Sequence, residues 1–153
     1  MKAIMYHYVR PCPEGFDYFR YLHVDDFIHQ LDYLQKKYTF VTQEQFYESL
    51  KNHQPPSGIL LTFDDGFIDH YRYVLPILKS RGLWGIFYVP TSIFKKKRLI
   101  GVHRIHMILG YCGGARALEL LHSLIQPNML EDKYIEKFKQ SAYIRQRNDD
   151  STM

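Results

Sequence analysis

Residues 59–66 read Ile-Leu-Leu-Thr-Phe-Asp-Asp-Gly. Four apolar residues and one Thr in five positions predict a fully buried β-strand, a run too short for an ordinary helix. Two adjacent carboxylates and a Gly follow without a break. Such an ending suits catalysis, because α/β folds gather their chemistry in the loops at the carboxyl ends of parallel strands. The competing reading is structural, since Asp65-Gly66 is a common turn dipeptide. What lies on either side decides between the two.

Upstream, Lys2 to Val9 is rich in Ile, Val, Met and Tyr and predicts a first strand, stopped by Arg10-Pro11. Its polar exception is His7, near the carboxyl end. Cys12 to Tyr21 is a loop. From Asp25 to Lys37 the apolar positions Phe27, Leu31 and Leu34 form one face of an amphipathic helix. Asp25 and Asp26 at its start and Lys36 and Lys37 at its end suit the helix dipole. A short strand over Thr39 to Val41 precedes a capping box, Thr42 with Gln45, and Phe46 and Leu50 are expected to turn the following helix toward the core. Downstream, Pro76 suits a first helical turn, so a helix is expected from Tyr73–Leu75 to Gly82. Trp84 to Val89 reads as another buried strand, ended by Pro90. Strands alternating with helices predict an α/β fold with a parallel sheet. The alternation then stops. Val102 to Leu109 reads as a helix ending at Gly110, Ala115 to Ile125 as a second, and Leu130 to Arg145 as a third, before a polar tail expected to fray.

The bulk composition narrows the class. Hydrophobic residues at 46% and charged ones at 24% of 153 residues describe one ordinary globular domain and exclude a disordered chain. Thirteen Tyr and ten Phe stand against a single Trp, a supply of flat, half-polar surface that suits a cleft for sugar rings. The net charge of +4 is scattered. Its one dense run, Lys95 to Arg98, reads as a solvated loop rather than a phosphate-binding patch, so no nucleic-acid partner is expected. Cys12 and Cys112 form no disulfide framework and are expected to be free thiols in a reducing compartment. Neither a signal-peptide segment nor a run of ~20 apolar residues occurs, which predicts a cytoplasmic protein with no membrane partner.

Three blocks in order, Met5-Tyr6-His7-Tyr8-Val9, Leu61-Thr62-Phe63-Asp64-Asp65-Gly66 and Leu83-Trp84-Gly85-Ile86-Phe87-Tyr88-Val89, resemble the polysaccharide deacetylases, the NodB-homology family. The resemblance implies an α/β partial (β/α) barrel of the NodB-homology type with a helical carboxyl-terminal segment. Residues 1–100 would be the amino-terminal part of the barrel, 101–147 a helical insertion or extension, and 148–153 a frayed tail. It also implies a metal-dependent hydrolase that removes acetyl groups from an N-acetylated carbohydrate, using a divalent metal, often zinc. By position Asp64 would be the general base and Asp65 the metal ligand, with His7 and Thr62 near the site and His70 behind it or in contact with substrate. Paired acids suit this chemistry. A metal can polarise an amide carbonyl and acidify water, but one carboxylate must hold it while another takes the proton. Consecutive residues at a strand end point to opposite sides, and Gly66 lets the chain turn away.

The family completes its metal site with a His-x-x-x-His pair, and uses later Arg-x-Pro-Tyr-like and Leu-x-His segments around the reacting group. None of the three occurs in this sequence. His103 and His106, three apart on a predicted helix, could share a face and chelate a metal. The apolar neighbours Val102, Ile105, Met107, Ile108 and Leu109 argue instead for an ordinary helix packed against the barrel. His23, His29, His53 and His122 are scattered and suit surface or capping roles. The chain is therefore expected to correspond to the first half of a deacetylase domain: a fragment, a truncated product, or one piece of an assembly. A missing half-domain or another protein would cover its open barrel edge. The alternative reading is a non-catalytic glycan-binding or regulatory fragment of such an enzyme.

Overall fold

The computed structural model describes residues 1–126 together with Met129 and Tyr134. The helix expected over residues 130–145, Tyr134 apart, and the tail lie outside them. The elements in order are β1 (Lys2–Tyr6), β2 (Val9–Arg10), β3 (Leu22–His23), α1 (Val24–Lys37), α2 (Gln43–Asn52), β4 (Ile59–Phe63), a π-helical turn (His70–Val74), α3 (Leu75–Ser80), β5 (Ile86–Phe87), α4 (Ser92–Lys96) and α5 (Gly101–Leu124). The chain divides into two compact units, Met1–Gly113 and Gly114–Met153.

In the first unit β4 is the central strand of a parallel sheet ordered β1-β4-β5. All five of its residues are buried, as its unbroken apolar run predicts. The core gathers around Phe63, whose ring stacks on Tyr6 at 5.6 Å and Phe87 at 4.8 Å and meets the edge of Phe27 at 6.1 Å. Leu31 from α1, Leu61 from β4 and Leu78 from α3 complete it. The fold class is thus α/β with parallel strands. The sheets are small and open, and no closed barrel forms among the described residues.

Several boundaries differ from the expectations. The first strand ends at Tyr6 rather than Val9, because β4 turns away after Phe63, the partner of Tyr6. Val9 and Arg10 find a different partner in β3, a two-residue strand with no sequence signal of its own. Thr39 to Val41 makes only a bridge at Phe40 to Ile59, since the capped α2 begins at once. The Thr42–Gln45 capping box is present in both directions. None of the ten described residues of α2 is buried, however, and Leu50 is exposed; Phe46 packs on Trp84 at 5.7 Å instead of entering the core. The helix around Pro76 begins earlier, through the π-helical turn, and β5 is shorter and only half-buried. The first residues of the basic run belong to α4 rather than to a loop.

The largest departure is α5. It does not stop at Gly110, where a Cβ would sit 2.5 Å from Phe19 Cδ2, so glycine is needed there for close packing. Non-helical geometry comes at Gly113 (φ 73°, ψ 168°) instead. Val102, Ile105, Met107, Ile108 and Leu109 do not pack inward as expected: all are exposed, whereas His103 is buried. In the second unit the described part continues α5 to Leu124, with an Arg116–Glu119 pair at 2.9 Å.

Candidate active site

The parallel register pairs Tyr6 with Phe63, so β1 and β4 end side by side. His7-Tyr8 and Asp64-Asp65 leave the sheet together at its carboxyl end. Asp65 (φ 74°) and Gly66 (φ 60°) are consecutive left-handed residues. The turn reading and the acidic-site reading of this dipeptide therefore describe one feature. Asp tolerates the left-handed region better than most residues, though for a residue with a Cβ it costs ~1–2 kcal/mol.

Asp65 lines a cavity of about 360 Å3 with His7 and Tyr8 from just after β1, Tyr18 and Arg20 from the loop between β2 and β3, and His103 and His106 from α5. Two imidazoles approach the same carboxylate oxygen, Asp65 Oδ2: His103 Nε2 at 3.4 Å and His7 Nε2 at 3.7 Å. The Tyr8 hydroxyl lies 2.7 Å from Nδ1 of His103 and 3.2 Å from Nδ1 of His106. Burial, with the charge of Asp65 in support, pushes the Tyr8 phenol above its ordinary value, and Arg10 pulls the other way. Tyr8 thus stays protonated near neutrality. His103 Nε2 is buried without a hydrogen-bond partner among the described residues.

The other residues singled out from the sequence fall differently. Asp64 donates its backbone N–H to the Tyr6 carbonyl at 3.0 Å. Its Oδ1 is buried without a partner among the described residues, and Asp64 is not among the residues lining the cavity. Thr62 is buried within β4 and also stands off the cavity wall. His70 is buried in the π-helical turn and donates from Nε2 to the His7 carbonyl at 2.6 Å, fixing the backbone that presents His7. Burial lowers its pKa, outweighing that hydrogen bond and the nearby carboxylates. Beside it, Arg10 holds Asp69 through Nε at 2.8 Å and lies over the rings of Tyr8 and Phe19. His23 caps α1, accepting from the Asp25 N–H at 3.2 Å. The structure brings together His7, Asp65 and the His103–His106 pair, and leaves Asp64, Thr62 and His70 off the cavity wall.

Sequence reasoning missed Tyr8. The signal was there, a tyrosine directly after His7 at a strand end, but aromatic residues are too frequent in this chain to stand out. Among the described residues no three His, Cys, Asp or Glu side chains are arranged as a ready-made metal site. Nor is any helix among them long and apolar enough to cross a membrane.

No protein-family model matches the chain, and no curated protein matches it by sequence. Solved structures do. The Streptococcus pyogenes deacetylase PplD, in complex with acetate, is 28% identical with a TM-score of 0.51 over 63% of this chain and 45% of that one. A de-N-acetylase from Aggregatibacter actinomycetemcomitans is 24% identical with a TM-score of 0.52, over 65% of this chain and 41% of that one. IcaB from Ammonifex degensii is 32% identical with a TM-score of 0.47, over 57% and 37%. The chain spans less than half the length of each.

Proposed function

We propose that this chain belongs to a metal-dependent hydrolase that removes acetyl groups from an N-acetylated carbohydrate, with Asp64 as general base and Asp65 as metal ligand. The observation that carries this reading is the cavity at the joint carboxyl end of β1 and β4, with Asp65 facing two imidazoles, in a fold similar to that of the Streptococcus pyogenes deacetylase. Its volume is at the low end of ligand pockets, ~300–1,000 Å3, and suits one sugar unit with its acetyl arm. Tyr8 and Tyr18 offer the aromatic faces on which a sugar ring packs.

Among the described residues the donors do not make up the three protein ligands usual for a catalytic zinc, so a divalent cation here would need ligands from beyond them. The Asp65 Oδ2 stands 3.4 Å from the buried His103 Nε2, close to the edge of about 3.3–3.4 Å that bonds of ~2.0–2.1 Å give a tetrahedral shell. When bound, the cation would polarise the acetyl carbonyl and acidify water. Asp65 would hold it. Asp64, whose buried Oδ1 has no donor among the described residues, would accept the proton from the attacking water. This role rests on its place in the motif rather than on the cavity wall. As the amide C–N bond breaks, acetate departs and the amine needs a proton. His7, 41% exposed at its side chain and with its carbonyl accepting from His70, would be the imidazole to give it. On this reading residues 1–100 are the amino-terminal part of the catalytic domain, and 101–147 an extension that reaches the site through α5.

The test is acetate release from N-acetylglucosamine oligomers by the full chain with added zinc. Asp64→Asn should lower the rate by ~100-fold or more; equal rates would remove Asp64 as the base. One observation favours the second reading, a non-catalytic glycan-binding or regulatory module: the absence, among the described residues, of a ready three-ligand site. Binding of the oligomers with no acetate released would decide for it.

A further inference from the structure

We propose that α4, the linker after it and the outer side of α5 form a surface that docks on an anionic lipid bilayer. Phe94, Leu99, Ile105 and Ile108 would enter the headgroup layer, and Lys95, Lys97, Arg98 and Arg104 would meet its phosphates. None of these residues lines the cavity of Asp65, so the inference stands apart from the reading given above.

The first argument is the separation of charge along the chain. Of the 20 Lys and Arg, nine lie between Asp69 and Glu119, where none of the 16 Asp and Glu does. Lys95, Lys97, Arg98 and Arg104 are all exposed. None of the four has an acidic partner among the described residues. The run that reads from sequence as a solvated loop is therefore a block of free positive charge, and it calls for an anionic partner.

The second argument is what lies between these cations. Phe94 is 68% exposed, Leu99 50%, Ile105 57% and Ile108 54%. On α5 the inward positions are His103 and Gly110. Ile105 follows the first by two residues and Ile108 precedes the second by two, which puts each about 200° round the helix. These two aliphatic side chains thus face away from their own fold. Ser92 of α4, Arg98 to Ile100 of the linker and Arg104 of α5 line one small cavity, so the two helices and the linker present a joined surface.

The combination selects the occupant. Exposed apolar residues mark a contact surface, but a protein partner would have to desolvate the four cations along with them. A nucleic acid would take the cations and leave Leu99, Ile105 and Ile108 without a role. A bilayer surface takes both, the aliphatic groups below the headgroups and the long basic side chains reaching up to the phosphates. The contact is peripheral, since no helix among the described residues is long and apolar enough to cross a membrane.

The experiment is cosedimentation of the full chain with vesicles of phosphatidylcholine and phosphatidylserine in equal parts, beside vesicles of phosphatidylcholine alone. The parent should sediment with the first and not with the second, and added salt should release it. Arg98→Gln with Arg104→Gln should weaken binding at least tenfold, at a factor of about five per cation. Phe94→Gln with Ile105→Gln should weaken it by about tenfold or more, whereas Leu50→Gln, as exposed on α2, should match the parent. No binding to either vesicle, equal binding to both, or parent-like binding by either double variant overturns the proposal. Because all four substituted residues are exposed, the variants should fold, and the preference of the parent for anionic vesicles needs no variant. Binding of single-stranded RNA in place of vesicles, unchanged in Phe94→Gln with Ile105→Gln, would give the surface to nucleic acid. A dimer in sedimentation equilibrium that the same variant abolishes, without vesicle binding, would give it to a second copy.

Discussion

Gly66 offers a quantitative test of how the acidic turn is held. Its φ is 60°, and a Cβ there would lie 2.9 Å from Val89 Cγ1 and 3.4 Å from the Val89 Cα. Gly82, after α3, has nearly the same φ of 63°, but a Cβ there would meet nothing within 4 Å. The two alanine variants therefore share a backbone cost and differ in steric contact. Forcing alanine into the left-handed region costs ~1–2 kcal/mol, offset by ~0.4–1 kcal/mol from the stiffer unfolded chain. Gly82→Ala should thus lose about 0.5–1 kcal/mol by that sum. Gly66→Ala adds the overpacking of a β-branched neighbour, ~1–3 kcal/mol, for a total of roughly 1.5–4 kcal/mol. Trp84, the one tryptophan of the chain, reports unfolding without a label, since its ring packs on Phe46 and its Nε1 donates to the Val41 carbonyl at 2.5 Å. In urea, with a slope near ~2 kcal/mol/M, the two midpoints should separate by about 0.5 M or more. Equal midpoints would refute the steric argument and leave only the backbone term. A larger loss at Gly82 would refute both.

Two further outcomes follow from the core and from His70. Phe63→Ala, at the centre of the aromatic stack and fully buried, should lose ~3–5 kcal/mol in thermal or urea unfolding. Leu50→Ala, on the exposed face of α2, should stay within ~0.5 kcal/mol of the parent; similar losses for the two would contradict the assignment of the core. Burial lowers the pKa of His70 in the folded state, so the unfolded chain takes up a proton first as pH falls. The stability linked to this group is therefore fully present above the ordinary histidine value of ~6.5 and is lost progressively below it, at up to ~1.4 kcal/mol per pH unit. Unfolding of the parent and of His70→Asn across that range should show a shallower slope for the variant; identical slopes would assign the pH dependence elsewhere.

The buried strand and the acids after it were legible because both are local. An unbroken apolar run needs no knowledge of its neighbours to be read as central, and β4 is buried at every residue. The same holds for the Thr42–Gln45 cap and for α1, whose buried Phe27 and Leu31 follow its period. Strand lengths were less legible, since each depends on where the partner stops. β1 stops at Tyr6 because β4 ends at Phe63, and no residue near Tyr6 announces that. Periodicity misled most at α5, where apolar spacing predicted an inward aliphatic face. The inward residue is instead His103, which meets the Tyr8 hydroxyl, far away in the chain. The cavity combines residues that follow β1 and β4 with others from the loop before β3 and from α5, and only the residues following the two strands lay in motifs that could be recognised.

The parallel pairing of β1 with β4 joins Lys2 to Ile59, with α1 and α2 lying between them in the chain. A parallel pair has no hairpin to start from, and closing so long a loop is an entropic cost met before the contact rewards it. His103 joins later residues still to the same place. The cavity should accordingly be among the last features to form during folding and among the first to vanish when the sheet opens. Anything bound there stabilises the whole first unit by mass action, so a ligand of this cavity will act as a folding aid as much as an occupant. Refolding yield in the presence of zinc or an acetylated sugar becomes a means of finding it.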